Sequence, residues 1–460
     1  MGGKRQKIRQ QLALAFTTVG EGEAFTAVCG GAEPCMAGSE AESQASDERL
    51  METVCEAGNV RQALQRVLSN KGSAGVDGMG VEKLAEHLRR HWQTLRAELL
   101  AGNYQPQPVK RVEIAKPDGG VRKLGVPTVQ DRFVQQAVLQ VLQPQWDQTF
   151  SEHSYGFRPG RSAHQAVLQA QSYIADDASW VVDIDLEKFF DRVNHDMLMG
   201  RVAKRVADKR VLKLIRGFLN AGVLEDGLVS PTEEGTPQGG PLSPLLSNLV
   251  LDDLDQELER CGHSFVRYAD DCNIYVSSER AGQRVMASVS KYLEHKLKLR
   301  VNVAKSAVGR PWDRSFLGFS FSAGDYPCRR IAPKALKRFK DNVREKTKRT
   351  KGRSVSQVVG VLSRYLRGWI GYFGFSQNRE LLSSLDRWVR HRLRSLLWKQ
   401  WHTGRQRYRE LRKRGINSRL AAQASGQRDG PWRMGNCKAM RIALRKADFT
   451  SLGLPSLGDL

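Results

Sequence analysis

Paired cysteines are missing from this 460-residue chain. Its seven cysteines, Cys29, Cys35, Cys55, Cys261, Cys272, Cys328 and Cys437, are scattered, and no two stand in CxxC spacing. A disulfide framework and a zinc ribbon are both excluded, and a reducing compartment follows. Long hydrophobic runs are missing as well: no apolar stretch approaches the ~18–20 residues that cross a bilayer. The basic N-terminus is followed by too short and interrupted an apolar stretch to serve as a signal peptide or anchor. The chain is therefore expected to be cytoplasmic, with no membrane partner. No internal repeat is visible, which excludes a solenoid. Acidic residues are scarce in one region only. Residues 331–460 hold 31 of the 73 Lys+Arg but 8 of the 49 Asp+Glu, a net of +23, leaving 42 basic against 41 acidic before them. A nearly neutral body thus carries a strongly basic tail. That excludes a uniformly basic enzyme and points to a polyanion on the tail.

What is present is globular, with 40% apolar residues in a length sufficient for two or three cores. Residues 1–48, rich in Gly, Ala, Ser and Glu, read as a variable N-terminal arm. Helical periodicity starts near Glu48, and Leu84, Leu88, Trp92, Leu95 and Leu99 form one stripe. Val112-Glu113-Ile114 and Val121 to Val126 read as strands around a Pro117-Asp118-Gly119-Gly120 turn. Helices are expected over 131–143, 162–174, 204–220, 242–260 and 281–297. Strands are expected over 180–185 and 315–321, with a hairpin over 265–276. Beyond Pro333 the pattern is helical throughout. The body is mixed α+β and the tail all-α.

Two acidic motifs carry the chemistry. Asp185 ends the apolar strand Trp180-Val181-Val182-Asp183-Ile184, and Asp270 and Asp271 sit between the apolar runs Phe265-Val266 and Ile274-Tyr275-Val276. Alone, Asp185 reads as a helix cap and the aspartate pair as turn formers. Together, abutting carboxylates between buried strands repel one another, and a divalent cation relieves that cost. Three carboxylates suit Mg²⁺ bound jointly with substrate phosphates. Two such ions about 3.5–4 Å apart serve in-line nucleotidyl transfer. The motifs predict a polymerase palm.

Six segments then occur in order: Lys116-Pro117-Asp118-Gly119-Gly120-Val121-Arg122-Lys123-Leu124-Gly125-Val126-Pro127, Ser154-Tyr155-Gly156-Phe157-Arg158-Pro159-Gly160-Arg161-Ser162, the Asp185 motif, Gly235-Thr236-Pro237-Gln238-Gly239-Gly240-Pro241-Leu242-Ser243-Pro244, Tyr268-Ala269-Asp270-Asp271, and Phe316-Leu317-Gly318-Phe319. The tail adds Arg367-Gly368-Trp369-Ile370-Gly371-Tyr372-Phe373. From about residue 50 onward the sequence resembles the reverse transcriptases encoded by group II introns, the maturase family. Its pattern is that of the bacterial class C members, which lack an endonuclease domain. The resemblance implies a right-hand polymerase fold, with an N-terminal extension and fingers over 49–180 and a palm over 181–330. An all-α thumb and maturase region over 331–402 and a DNA-binding segment over 403–460 would follow. It implies RNA-directed DNA synthesis, splicing assistance to a group II intron RNA and support of retrohoming, in a bacterial, nucleoid-associated protein. An intron-free enzyme of defence or repair, or a splicing-only RNA chaperone, is the alternative.

The resemblance also assigns roles. Asp185, Asp270 and Asp271, with the Leu186 carbonyl, would hold two Mg²⁺ ions. Lys305 would protonate the pyrophosphate leaving group. Lys116, Arg122, Phe190 and Gln238 would contact the incoming dNTP, with Phe190 beneath the sugar where a 2′-OH would clash. Arg158, Arg161, Arg364, Arg367, Trp369 and Tyr372 would contact the RNA template, DNA primer, intron RNA or target DNA. About half of the tail aromatics (Tyr365, Trp369, Tyr372, Trp388, Trp398, Trp401, Tyr408) are expected in a helical core and the rest free to stack on bases. A His-Asn-His nuclease needs clustered ligands. After residue 330 only Cys437, His391 and His402 are available, so no such module is expected there.

Overall fold

The computed structural model describes residues 49–115, 120–225, 228–231, 234–236, 239–348 and 352–459, with the side chains of Ala115 and Arg122 excepted. It divides into two units. The first comprises the described residues up to Ala166 together with Val182–Val308, and the second Val167–Val181 with the described residues from Gly309 onward.

In the first unit, helices α1 (Leu50–Val54), α2 (Ala57–Asn70) and α3 (Leu84–Leu100) precede the fingers strands. All five residues of the predicted stripe on α3 are buried. Strand β1 (Val109–Ala115) pairs antiparallel with β2 (Val121–Val126), setting Val112 opposite Leu124 and Ile114 opposite Arg122. Helices α4 (Val129–Asp147) and α5 (Ala163–Ala175) follow, α4 capped by the Thr128 hydroxyl accepting from Asp131 N. After β3 (Trp180–Ile184) come α6 (Phe189–Arg192), α7 (His195–Ala203) and α8 (Lys209–Asn220). One helix was expected over 204–220. Asp208 ends that reading, because its carboxylate accepts from Arg210 N and starts a new helix. Two three-residue strands that sequence reasoning missed, β4 (Val223–Glu225) and β5 (Leu228–Ser230), complete the fingers sheet in the order β2-β1-β4-β5.

Helix α9 (Ser243–Arg260), the hairpin β6 (Ser264–Tyr268) and β7 (Asp271–Val276), α10 (Glu279–Tyr292) and β8 (Ala307–Gly309) build the palm, with sheet order β6-β7-β3-β8. The helix expected to reach 297 changes to a π turn over Leu293–Leu297. A single apolar core runs from Leu50 to Leu299 through fingers and palm residues alike. The boundaries between the two units fall at 166/167, 181/182 and 308/309.

The second unit holds the hairpin β9 (Phe319–Phe321) and β10 (Arg329–Ile331), then α11 (Pro333–Lys346), α12 (Val355–Phe373) and α13 (Arg379–Gln400). Five short helices between Gly404 and Ser451 follow. Ser354 and Gln357 form a capping box that starts α12. Its core is aromatic: Phe339 lies 4.2 Å from Trp369, and Trp369 5.1 Å from Phe373, between ring centroids. Among the described residues no helix is long and apolar enough to cross a membrane.

Candidate active site and nucleic-acid surface

Asp185 leaves the end of β3, where segment 300–306 grips it. Asn302 N donates to the Asp185 carbonyl at 2.8 Å, and the Asp185 N–H donates to Ser306 Oγ at 2.9 Å. Asn302 Nδ2 donates to the Asp185 carboxylate at 2.9 Å, and Lys305 Nζ lies 3.3 Å from the same oxygen. Leu186 is buried and bridges Val301. The carboxylate is thus oriented by backbone and amide before any ligand arrives.

On the adjoining hairpin Tyr268 pairs with Asp271, so Ala269 and Asp270 form a two-residue turn. Ala269 is left-handed (φ +58°), a conformation that crowds its Cβ. Since β7 neighbours β3, the turn brings its aspartates to the strand end that carries Asp185. Burial, then the charges of Asp270, Asp185 and Asp183, push the Asp271 carboxyl up to about 7, with Lys305 opposing. Asp271 is solvent-exposed at the start of β7. Among the described residues no three acidic, His or Cys side chains close around a single point. The cluster is open, with Lys305 against one member. Mutual repulsion among hard oxygen donors suits a hard divalent cation.

The glycine-rich segment meets this site. Thr236 N donates to the Phe190 carbonyl at 2.6 Å. Gly235 (φ +94°) approaches so closely that a Cβ there would lie 2.8 Å from that oxygen. A Cβ on Gly239 would lie 2.6 Å from the Gly125 carbonyl of β2. Gly235 therefore packs on the Phe190 turn, and Gly239 on the fingers strand. Phe190 is half-buried, edge-on to Phe189 at 5.2 Å. Lys116 and Gln238 lie outside the described residues, as does the Arg122 side chain.

The fingers sheet has two unlike faces. Arg111, Glu113, Lys123 and Glu225 form ion pairs on one. By strand alternation Lys110, Val112, Ile114, Leu124, Leu224 and Val229 share the other, and Val112, Ile114 and Val229 are exposed. Sequence reasoning missed this largely apolar face, although the alternation of Val112 and Ile114 with charged residues signals it.

In the second unit, Leu317, Gly318, Arg338, Arg364, Trp369 and Tyr372 line a pocket of about 680 Å³. Arg338, Arg364 and Arg367 are exposed, and Tyr372 Oη donates to the Leu317 carbonyl at 2.8 Å.

Residues 114–321 match the family model described as reverse transcriptase (RNA-dependent DNA polymerase), and residues 336–415 match the group II intron maturase-specific domain. Protein YkfC of Escherichia coli is 35% identical over 301 residues, 57% of this chain and 79% of that protein. The chain belongs to the group II intron reverse transcriptases. The group II intron-encoded protein LtrA of Lactococcus lactis is 38% identical over 42% of this chain, and a putative COX1/OXI3 intron 2 protein of Saccharomyces cerevisiae 31% identical over 50%. The matches span only 32% and 26% of those two longer proteins.

Within this reverse transcriptase, one residue expected on nucleic acid is corrected. Arg158 is buried, and its five donors are taken by the Asp147 carboxylate and the carbonyls of Asp147, Ser151 and Ser154. Paired so completely, it anchors the loop from inside. Arg161 is partly exposed, pairs with Glu152 and lies 5.5 Å from the Tyr155 ring. Of the seven tail aromatics, Trp369, Trp398 and Trp401 are buried, Tyr365, Tyr372 and Trp388 half-buried, and Tyr408 exposed. Trp369 thus forms pocket wall and core at once.

Proposed function

We propose that this reverse transcriptase copies RNA into DNA with two Mg²⁺ ions held by Asp185, Asp270, Asp271 and the Leu186 carbonyl, and that it binds a group II intron RNA as a splicing maturase that supports retrohoming. The observation that carries the reading is that Asp270, Asp185 and Asp183 all act as like charges on Asp271, which opens β7 beside the strand that Asp185 follows. The ions would supply charge neutralisation at the attacked phosphate and lower the pKa of the primer 3′-hydroxyl. Segment 300–306 holds the Asp185 carboxylate in orientation, and the Phe190 backbone is fixed by Thr236 so that its ring sits at the deoxyribose. Lys116, Arg122 and Gln238 serve the incoming dNTP, and Lys305 donates a proton to the leaving pyrophosphate. Arg161, Arg364, Arg367, Trp369 and Tyr372 contact template, primer or intron RNA. The class C assignment, the cytoplasmic, nucleoid-associated location and the target DNA belong to the same proposal.

Primer extension on an RNA template tests it. Asp270→Ala should abolish Mg²⁺-dependent synthesis while RNA binding persists; extension at the wild-type rate by that variant would sink the assignment. A folded intron RNA in the DNA flanking the gene separates the maturase reading from an intron-free enzyme.

A further inference from the structure

Arg267, one residue before the Tyr268-Ala269-Asp270-Asp271 motif, is 1% exposed, and so is its guanidinium, although it lies in a strand. Each of its five N–H donors has an acceptor. Nε and one terminal nitrogen grip the Asp255 carboxylate of α9 at 2.7 and 2.5 Å. That nitrogen also donates to Ser154 Oγ at 2.7 Å. The other donates to Asn248 Oδ1 at 3.0 Å and to the carbonyl of Ala269 at 3.1 Å. Asn248 Nδ2 in turn donates to the Gly156 carbonyl at 2.9 Å. Gly156 lies directly behind the turn, where a Cβ would come within 2.2 Å of Ala269 N. Ala269, held in its left-handed conformation, is therefore wedged between the Gly156 backbone and the guanidinium.

A buried ion pair is a poor stabiliser; a hydrophobic replacement of similar volume is often as stable. What a hydrophobic side chain cannot do is bond the Ala269 carbonyl and fix a turn that costs strain. The planar fork of arginine can, because its donors leave in set directions. Ser154, Gly156, Asn248 and Asp255 come from two distant segments, so the network references the turn to the palm's framework.

We propose that Arg267 is a positioning residue: through Asp255, Asn248 and Ser154 it fixes the Ala269–Asp270 turn and so places Asp270 and Asp271 for the polymerase reaction. The inference rests on the polymerase reading above. Lysine at 267 would keep the charge with three donors and no fork. A catalytic group displaced by about 1 Å costs on the order of 100-fold in rate.

The test uses the full-length protein with Arg267→Lys and the milder Ser154→Ala. Amide hydrogen exchange over 268–272, the Mg²⁺ dependence of primer extension, and template–primer affinity without Mg²⁺ are measured. Arg267→Lys should exchange faster at the turn but not along α3, raise the half-saturating Mg²⁺ several-fold and lower kcat on the order of 10- to 100-fold. Affinity without metal should be unchanged. Ser154→Ala should move each readout in the same direction by less, and it decides the matter if Arg267→Lys does not fold. Wild-type exchange and Mg²⁺ dependence in the folded variants would overturn the proposal. Faster exchange throughout the first unit with unchanged half-saturating Mg²⁺ would also overturn it, by showing a merely structural role. An inactive wild-type protein would refute the polymerase reading instead, while the exchange measurement still judged the hold on the turn.

Discussion

Replacing Arg338, Arg364 and Arg367 together by Gln should weaken template–primer binding chiefly at low salt. All three are exposed on the second unit, Arg338 and Arg364 lining its pocket, and none forms an ion pair among the described residues. Glutamine keeps much of the apolar stem while removing the charge. If each guanidinium neutralises one phosphate, the slope of log K against log salt falls by roughly 0.7–0.9 per residue, or about 2–2.7 for the three. Extrapolated from 1 M, that is on the order of 100-fold or more in affinity at 0.1 M salt and about 10-fold at 0.4 M. Fluorescence anisotropy of a labelled template–primer across that salt range reads both numbers. Parallel salt plots for variant and wild type would refute the assignment of this face to nucleic acid and move the contacts elsewhere on the basic tail.

Three further outcomes follow from individual side chains. Burial, then the Asp255 charge, pushes the Asp252 carboxyl up to about 6 from the usual 3.8. The folded state therefore favours the protonated form, and the associated stability is full below pH ~4 and lost as pH rises to ~6. The difference is up to about 3 kcal/mol, so Asp252→Asn should flatten the stability profile over that window, and parallel denaturation profiles for the two proteins would exclude it. Phe190→Val should admit ribonucleotides more readily, measured as the dNTP-to-rNTP ratio of kcat/KM; unchanged discrimination would return Phe190 to a packing role. Arg158→Met should cost about 3 kcal/mol by stranding the Asp147 carboxylate while leaving the salt slope of RNA binding intact, and a reduced slope would restore Arg158 to the nucleic-acid surface.

Much of this was legible because the decisive elements repeat a simple period. The α3 stripe recurs every three to four residues, and the β6–β7 hairpin is two short apolar runs flanking turn residues, so both could be placed without coordinates. The β4–β5 pair could not, since three-residue strands carry too little alternation to register. The split before α8 was readable in principle from Asp208, whose short carboxylate prefers a helix start to a helix interior. Long-range partners were the real limit. Arg158 was expected on nucleic acid, and nothing local announces Asp147 eleven residues earlier as its counter-ion. Arg267 carried no signal in the sequence. Its burial is permitted only by Asp255, Asn248 and Ser154, which meet it through tertiary structure. Asn302 and Ser306 were missed for the same reason, being anonymous polar residues until the chain returns them to Asp185.

These contacts explain how a nearly neutral body can hold a concentrated negative site. Its charges largely cancel in local pairs such as Arg158 with Asp147, Arg201 with Asp253 and Arg267 with Asp255. At the polymerase motif, by contrast, Asp271 feels the like charges of Asp270, Asp185 and Asp183, opposed by Lys305, which lies 3.3 Å from Asp185. A phosphodiester approaching that cluster without a cation meets repulsion, whereas the tail attracts it at any metal concentration. On the proposed function, substrate retention draws on arginines whose exact number is adjustable, and reaction depends on a few carboxylates whose placement is not. The hydrogen-bond density around Asp185 and Ala269, against the open and solvated Arg364 and Arg367, is the structural expression of that difference.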